Sequence, residues 1–233
     1  METIPEIVWP PVNRFLANYS KLAISVGNTS LVDFTEIEAL ILKNTYQTNH
    51  IRKPIKIAEL GCWTGKTTLC LAEIAKQLDG HVVAIDDFSG RSLDILIENA
   101  RIFNIETLFK ETIKENLYED YVTLHKGEAE TIADRYAEEY FDVVYVDTSY
   151  RYDNMKVVLD AWYPKVKTNG IICGCNVDTI LNDEFKAKMK DSSFEYLVKY
   201  FPGVDVAISE KFKNVKKTAT GAIWYSKKTL KNS

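Results

Sequence analysis

Residues 55–69 read Ile55-Lys56-Ile57-Ala58-Glu59-Leu60-Gly61-Cys62-Trp63-Thr64-Gly65-Lys66-Thr67-Thr68-Leu69. The first six form a short apolar run that stops at glycine, the reading of a strand buried in a parallel sheet. Beyond the turn, Leu69, Leu71, Ala72, Ile74, Ala75 and Leu78 recur at helical spacing, which predicts a helix over 66–78 closed by Gly80. A new apolar run, His81–Asp86, follows at once. Strand, glycine turn, helix, strand is the repeating unit of a parallel sheet covered by helices.

Working outward, the same alternation continues. Towards the N-terminus, Ile37, Leu40, Ile41 and Leu42 predict a helix over 35–44, with Thr35 and Glu38 spaced as a capping box. Residues 1–34, carrying Pro5, Pro10 and Pro11, read as an extension in which Trp9, Phe15 and Tyr19 serve as a lid or a subunit contact; the main domain is expected over 35–233. Towards the C-terminus the pattern predicts helices over 92–104, 130–139, 155–165 and 184–189. Strands are expected over 121–125, 141–147 and 170–174, with a final antiparallel hairpin pairing 205–209 with 221–226. The fold class is therefore α/β: a Rossmann-like, mostly parallel seven-stranded sheet with helices on both faces and an antiparallel C-terminal hairpin.

The bulk composition excludes several classes. With 46% hydrophobic and 27% charged residues the chain is globular in type, and no run approaches the roughly twenty apolar residues of a membrane span. The start of the sequence lacks the basic-then-apolar pattern of a secretion signal, so the expectation is a cytoplasmic protein. A net charge of −4 offers no general attraction to nucleic acid, and the lysines after Val206 read as a solvated segment. Cys62, Cys70, Cys173 and Cys175 lie in apolar surroundings without disulfide or zinc spacing, and the three histidines are scattered.

In open α/β sheets the ligand lies beyond the carboxyl ends of the strands. The first strand ends in Glu59, Gly61, Trp63, Thr64 and Gly65, a turn whose glycines admit close approach of a ligand and whose following helix offers free N–H groups to an anion. Three ligand classes use such a turn. A dinucleotide site wants G-x-G-x-x-G, and Trp63 stands where the second glycine belongs. A phosphate loop wants G-x-x-x-x-G-K-[ST]; Gly65-Lys66-Thr67 supplies the end, one residue short of the required length, and FDVVYVD at 141–147 resembles the acidic strand of nucleotide hydrolases. The third class is an adenosyl ligand, for which Asp86 falls about twenty residues past the turn, where an acid accepts ribose hydroxyls.

The E-x-G-x-x-x-G turn, Asp86-Asp87, Gly127-Glu128-Ala129 and Asp147 resemble, in order and spacing, the class I S-adenosylmethionine-dependent methyltransferases. VVAIDDFSG, VDTSYRYDN, DAWYPKVKTNGIICG and GAIWYSKK extend the likeness to the subgroup containing macrocin-type sugar O-methyltransferases and cephalosporin-hydroxylase-like proteins. The resemblance implies S-adenosylmethionine as cofactor, Glu128 as the adenine-reading acid, and O-methylation of a small hydroxylated acceptor such as a sugar or phenol. The chain departs from the subgroup at two places: Tyr150 stands where a histidine is usual, and Cys175 where a polar or acidic residue is. Related metal-dependent enzymes hold a divalent ion between acids ending strands four and five. Asp147 and Asn176 match two of those positions, Asp178 lies two residues on, and a Mg2+ site there is an open expectation because Cys175 is a poor oxygen-site substitute. Asp147 and Tyr150 are the candidate catalytic groups. A module that keeps the adenosyl pocket without catalysis, and a nucleotide hydrolase, are the competing readings.

Overall fold

β1 (Lys56–Leu60) lies at the centre of a seven-stranded sheet in the order β3-β2-β1-β4-β5-β7-β6. The chain is seen in a computed structural model that describes residues 31–48, 54–90, 97, 100–148, 151–175 and 202–229. β2 (His81–Asp86) and β3 (Val122–Lys126) extend one side; β4 (Phe141–Val146) and β5 (Val166–Gly174) extend the other, all four pairings being parallel. β6 (Lys216–Lys217) and β7 (Trp224–Lys227) close the β5 edge as antiparallel strands. The strand order reverses between β1 and β4, which makes the gap between their carboxyl ends the place where such sheets bind ligands.

Alternation along each strand sorts the core into two layers. Ile57, Val82, Ala84, Val143, Tyr145, Ile171 and Cys173 point to one face and pack against α1 (Leu31–Thr48), α2 (Lys66–Gln77) and α3 (Ile105–Glu115). Ala58, Leu60, Val83, Ile85, Val144, Val146 and Ile172 point to the other, against α4 (Ala129–Ile132), α5 (Tyr152–Trp162) and α6 (Pro202–Lys211). Trp162, fully buried, donates its Nε1–H to the Ala129 carbonyl at 2.9 Å and so ties α5 to the start of α4. At the other end of the sheet, Asp142 accepts Lys167 Nζ at 2.8 and 2.9 Å and the Lys56 amide at 2.8 Å, which compensates a carboxylate buried at the mouth of β4.

Several predicted elements need correction. α1 starts at Leu31, so Thr35 sits inside the helix and caps nothing; Phe34, three residues before Ile37, continues the apolar stripe backwards. The α3 helix was not expected. Its signal is Asn104, whose side chain accepts the Thr107 amide at 3.0 Å, followed by buried Ile105, Phe109 and Ile113 at four-residue spacing. α4 ends after one turn and passes through a 3-10 turn (Ala133–Arg135), because Tyr136 leaves the helix to join an aromatic group with Tyr140, Phe141 and Trp162. The predicted strand 205–209 is helical: Val204, Ala207, Ile208 and Phe212 are buried at helical spacing behind Pro202, which suits a first helical turn. The hairpin partner is instead the short pair Lys216–Lys217. β5 begins at Val166, earlier than Gly170, with Asn169 in the left-handed region (φ 68°) beside a register shift against β4. The predicted helix 184–189 and most of 92–104, like the 1–30 segment, lie outside the described residues. No helix among those described is long and apolar enough to cross a membrane.

Candidate active site at the carboxyl edge of the sheet

Continuing the alternation one step past each strand end brings the expected acids to one face. Glu59 on β1, Asp86 at the end of β2 and Asp147 after β4 share the parity of Ile57, Ala84 and Tyr145, so all three belong to the α1–α2–α3 side. Gly61 sits between them. Its amide donates to the Ile85 carbonyl at 2.8 Å, and the Asp147 amide donates to the Leu60 carbonyl at 2.8 Å. Gly61 has φ 89°, and a Cβ there would lie 2.0 Å from the Asp147 carbonyl oxygen, so only glycine fits.

The turn is held open by its own backbone. Trp63 and Gly65 also take left-handed conformations (φ 44° and 89°), and the Gly65 amide donates to the Cys62 carbonyl at 2.8 Å. Gly65 is the N-cap of α2 and no side chain caps the helix, which leaves its N-terminal end without a side-chain acceptor. Asp86 braces the turn: Oδ2 accepts the Trp63 amide at 2.8 Å and Oδ1 the Phe88 amide at 2.7 Å. Each carboxylate oxygen keeps a second lone pair, so these bonds orient Asp86 without exhausting it. Burial pushes its carboxyl up to about 6, against those two amide bonds, with Asp87 and Asp147 adding repulsion.

Glu59 is fully buried. Oε2 accepts the Thr68 hydroxyl at 2.6 Å, while Oε1 has no partner among the described residues. Burial pushes this carboxyl up to about 8; Thr68 opposes the shift, and Asp147 and Asp86 reinforce it. Two further buried polar atoms of the turn, Trp63 Nε1 and Thr64 Oγ1, likewise have no partner. Three buried polar atoms within six residues, without a partner among the described residues, are groups that a polar ligand would satisfy.

The remaining predicted residues divide. Gly127 (φ 152°) donates its amide to the Asp86 carbonyl at 3.0 Å, which brings the 127–129 segment to the same edge. Glu128 is exposed, with its carbonyl accepting the Thr131 and Ile132 amides; Ala129 is buried. Asp87 folds back on its own loop, accepting the Ser89 amide at 2.9 Å and hydroxyl at 2.7 Å. Tyr150, Asn176 and Asp178 lie outside the described residues.

Alternation also uncovers a contact that the sequence reading missed. β5 pairs Cys173 with Tyr145 and Gly174 with Val146, so the next residue, Cys175, comes alongside Asp147. Cys175 is half-buried there, packed against the same core layer that holds the fully buried Tyr145. Burial, then the Asp147 charge, pushes the thiol well above its usual range; burial does the same to Tyr145. A protonated, soft sulfur does not suit Mg2+, which asks for hard oxygens in octahedral array. No group of three or more His, Cys, Asp or Glu side chains among the described residues is arranged to hold a metal ion. Of the residues expected at that site only Asp147 and Cys175 are among those described, and a thiol is a poor partner for such an ion.

The chain is similar in fold to an O-methyltransferase from Bacillus cereus solved with S-adenosylhomocysteine (14% identity, TM-score 0.61, 95% of this chain and 94% of that one). It is similar to a Staphylococcus aureus protein assigned as a caffeoyl-CoA O-methyltransferase (15%, 0.61, 94% and 93%). A third likeness is to CalS11, a TDP-rhamnose 3'-O-methyltransferase of calicheamicin biosynthesis (15%, 0.53, 94% and 88%). No curated protein sequence matches it. Residues 58–174, half of the chain and the span from within β1 to the end of β5, match the methyltransferase-domain family. With that match on a sheet of this order, the chain belongs to the methyltransferase-domain family and is a class I methyltransferase.

Proposed function

We propose that this protein is an S-adenosylmethionine-dependent O-methyltransferase acting on a small hydroxylated acceptor, a sugar or a phenol. The observation that carries the reading is the convergence of the Gly61 turn, Glu59, Asp86 and Asp147 on one face, with buried polar atoms of Glu59, Trp63 and Thr64 left unsatisfied. Asp86 is poised to accept the ribose hydroxyls, and the open start of α2 with Thr64 and Trp63 offers donors to the amino-acid carboxylate. Glu59 Oε1 is an acceptor for an ammonium proton, which would also draw its carboxyl into the ionised form. Asp87, Gly127, Glu128 and Ala129 border the adenine end.

When bound, the cofactor supplies a methyl group on a sulfonium, transferred in line to the acceptor oxygen. The protein's own contribution is alignment, exclusion of water and removal of the acceptor's hydroxyl proton. Asp147, fixed at the switch point by its amide bond to Leu60, is the group proposed to take that proton, with Tyr150 as the second candidate. CalS11 acts on a nucleotide-linked sugar, which supports a sugar acceptor here.

Calorimetry with S-adenosylmethionine and, separately, with ATP and Mg2+ tests the cofactor. Binding of the first and not of the second is expected; the reverse would establish the nucleotide-hydrolase reading. Release of S-adenosylhomocysteine on incubation with a panel of sugars and phenols tests catalysis. Cofactor binding with no turnover on any hydroxylated acceptor would favour the binding-module reading.

A further inference from the structure

Two bulky residues at the carboxyl edge carry a backbone conformation that L-amino acids avoid. Trp63, in the turn after β1, has φ 44°, and Phe88, in the loop after β2, has φ 59°. Left-handed backbone is unfavourable for such residues, so each persists only because its surroundings hold it. On the polar side Asp86 holds both, since its carboxylate accepts the Trp63 and Phe88 amides. On the apolar side the two loops share a second support, Phe109 of α3. Its ring, 2% exposed, packs against the ring of Phe88 with centroids 6.1 Å apart. The same ring lies flush against Gly65: a Cβ there would come 3.2 Å from Phe109 Cδ2 and 3.3 Å from Thr112 Cγ2. α3 itself is tied at both ends. Lys126, at the end of β3, donates to Glu106 at 2.7 Å, and Tyr118, just past the helix, donates its hydroxyl to Glu73 on α2.

We propose that Phe109 is a positioning residue for the cofactor: its ring, between Gly65 and Phe88, holds the loops after β1 and β2 at the spacing in which the glycine turn and Asp86 face one ligand. This deepens the reading under Proposed function and rests on it for the identity of that ligand. The argument is one of shape. Asp86 links the two loops to each other, and hydrogen bonds to one carboxylate leave the pair free to move together. A close-packed ring on a helix that belongs to neither loop removes that freedom. It also gives Gly65 a second reason to be glycine, because Phe109 and Thr112 fill the space a side chain would take. A site held in its binding geometry before the ligand arrives loses less on binding, so the contribution of Phe109 belongs to affinity and not to the methyl-transfer step.

Hydrogen exchange of the full-length, ligand-free protein, read by NMR, tests the support directly. Phe109→Leu removes the ring while keeping an apolar side chain, and Ile113→Val thins the same core layer one turn further along α3. Relative to the Val144 amide in the centre of the sheet, the Trp63 and Phe88 amides should exchange roughly tenfold faster in Phe109→Leu and at the wild-type rate in Ile113→Val. Equal exchange at Trp63 and Phe88 in the two variants overturns the proposal, because the loops then respond only to a general loss of packing. Calorimetry supplies the second readout. The Kd for S-adenosylmethionine should rise about tenfold in Phe109→Leu and stay within about twofold in Ile113→Val. Where turnover is measured, the KM for S-adenosylmethionine should rise by the same factor with kcat kept. An unchanged Kd in Phe109→Leu, or a fall in kcat with KM kept, also overturns it. A wild-type protein that binds no S-adenosylmethionine but shows the expected exchange pattern counts against the proposed function and leaves Phe109 as the support of the two loops.

Discussion

At the scale of single residues the site is a cluster of carboxyl groups, Glu59 fully buried and Asp86 and Asp147 half-buried. Asp86 illustrates the consequence. Its carboxyl is raised to about 6 in the folded protein, so near neutral pH it is mostly ionised and able to accept ribose hydroxyls, and it gains a proton as the pH falls through that value. The ligand favours the ionised form; affinity is therefore present above about pH 6 and lost below it. Calorimetric Kd values for S-adenosylmethionine measured from pH 8 to pH 5 should weaken in that window. Asp86→Asn should remove the part of the pH dependence centred near 6, leaving the part that Glu59 contributes from about 8 downward, and weaken binding at neutral pH by roughly ten- to a hundredfold, the equivalent of losing charge-assisted hydrogen bonds. A Kd unchanged by the substitution would mean that Asp86 only braces the Trp63 and Phe88 amides.

At the scale of elements, what the sequence made legible depended on whether packing followed local pattern. β1, α2 and β2 were readable almost to the residue, because an apolar run, two glycines and a helical stripe agree with one another over residues 55–86. α6 was misread because Val206 and Ile208 alternate like a strand, while its packing uses Val204, Ala207 and Ile208 on one helical side. α3 went unread although Asn104 announced it. That cap gives a direct check: Asn104→Ala removes the acceptor of the Thr107 amide and should cost about 1 kcal/mol, lowering Tm by roughly 2–4 °C in a chain of this size. A variant as stable as the wild type would show that α3 is held by Phe109 and Ile113 alone.

At the scale of the whole molecule, strand order converts scattered residues into a site. Glu59, Asp86 and Asp147 are far apart in sequence, and each by itself reads as an ordinary loop acid. Parallel pairing of β2, β1 and β4 sets their ends side by side, and the shared parity turns all three towards the same layer of helices. The acids were legible because each ends an apolar run. Cys175 was not, since its place beside Asp147 follows from the register of β5 against β4, which no local pattern in either strand announces. The family match over residues 58–174 covers this arrangement from its first strand to its fifth.

The most direct test of the account is a crystal structure of the protein grown with S-adenosylhomocysteine. The account predicts the nucleoside lying across the tips of β1 and β2, with its ribose hydroxyls on Asp86 and its amino-acid end over the Gly61–Gly65 turn beside Glu59. A nucleoside bound elsewhere, or an empty turn in a crystal saturated with ligand, would contradict it.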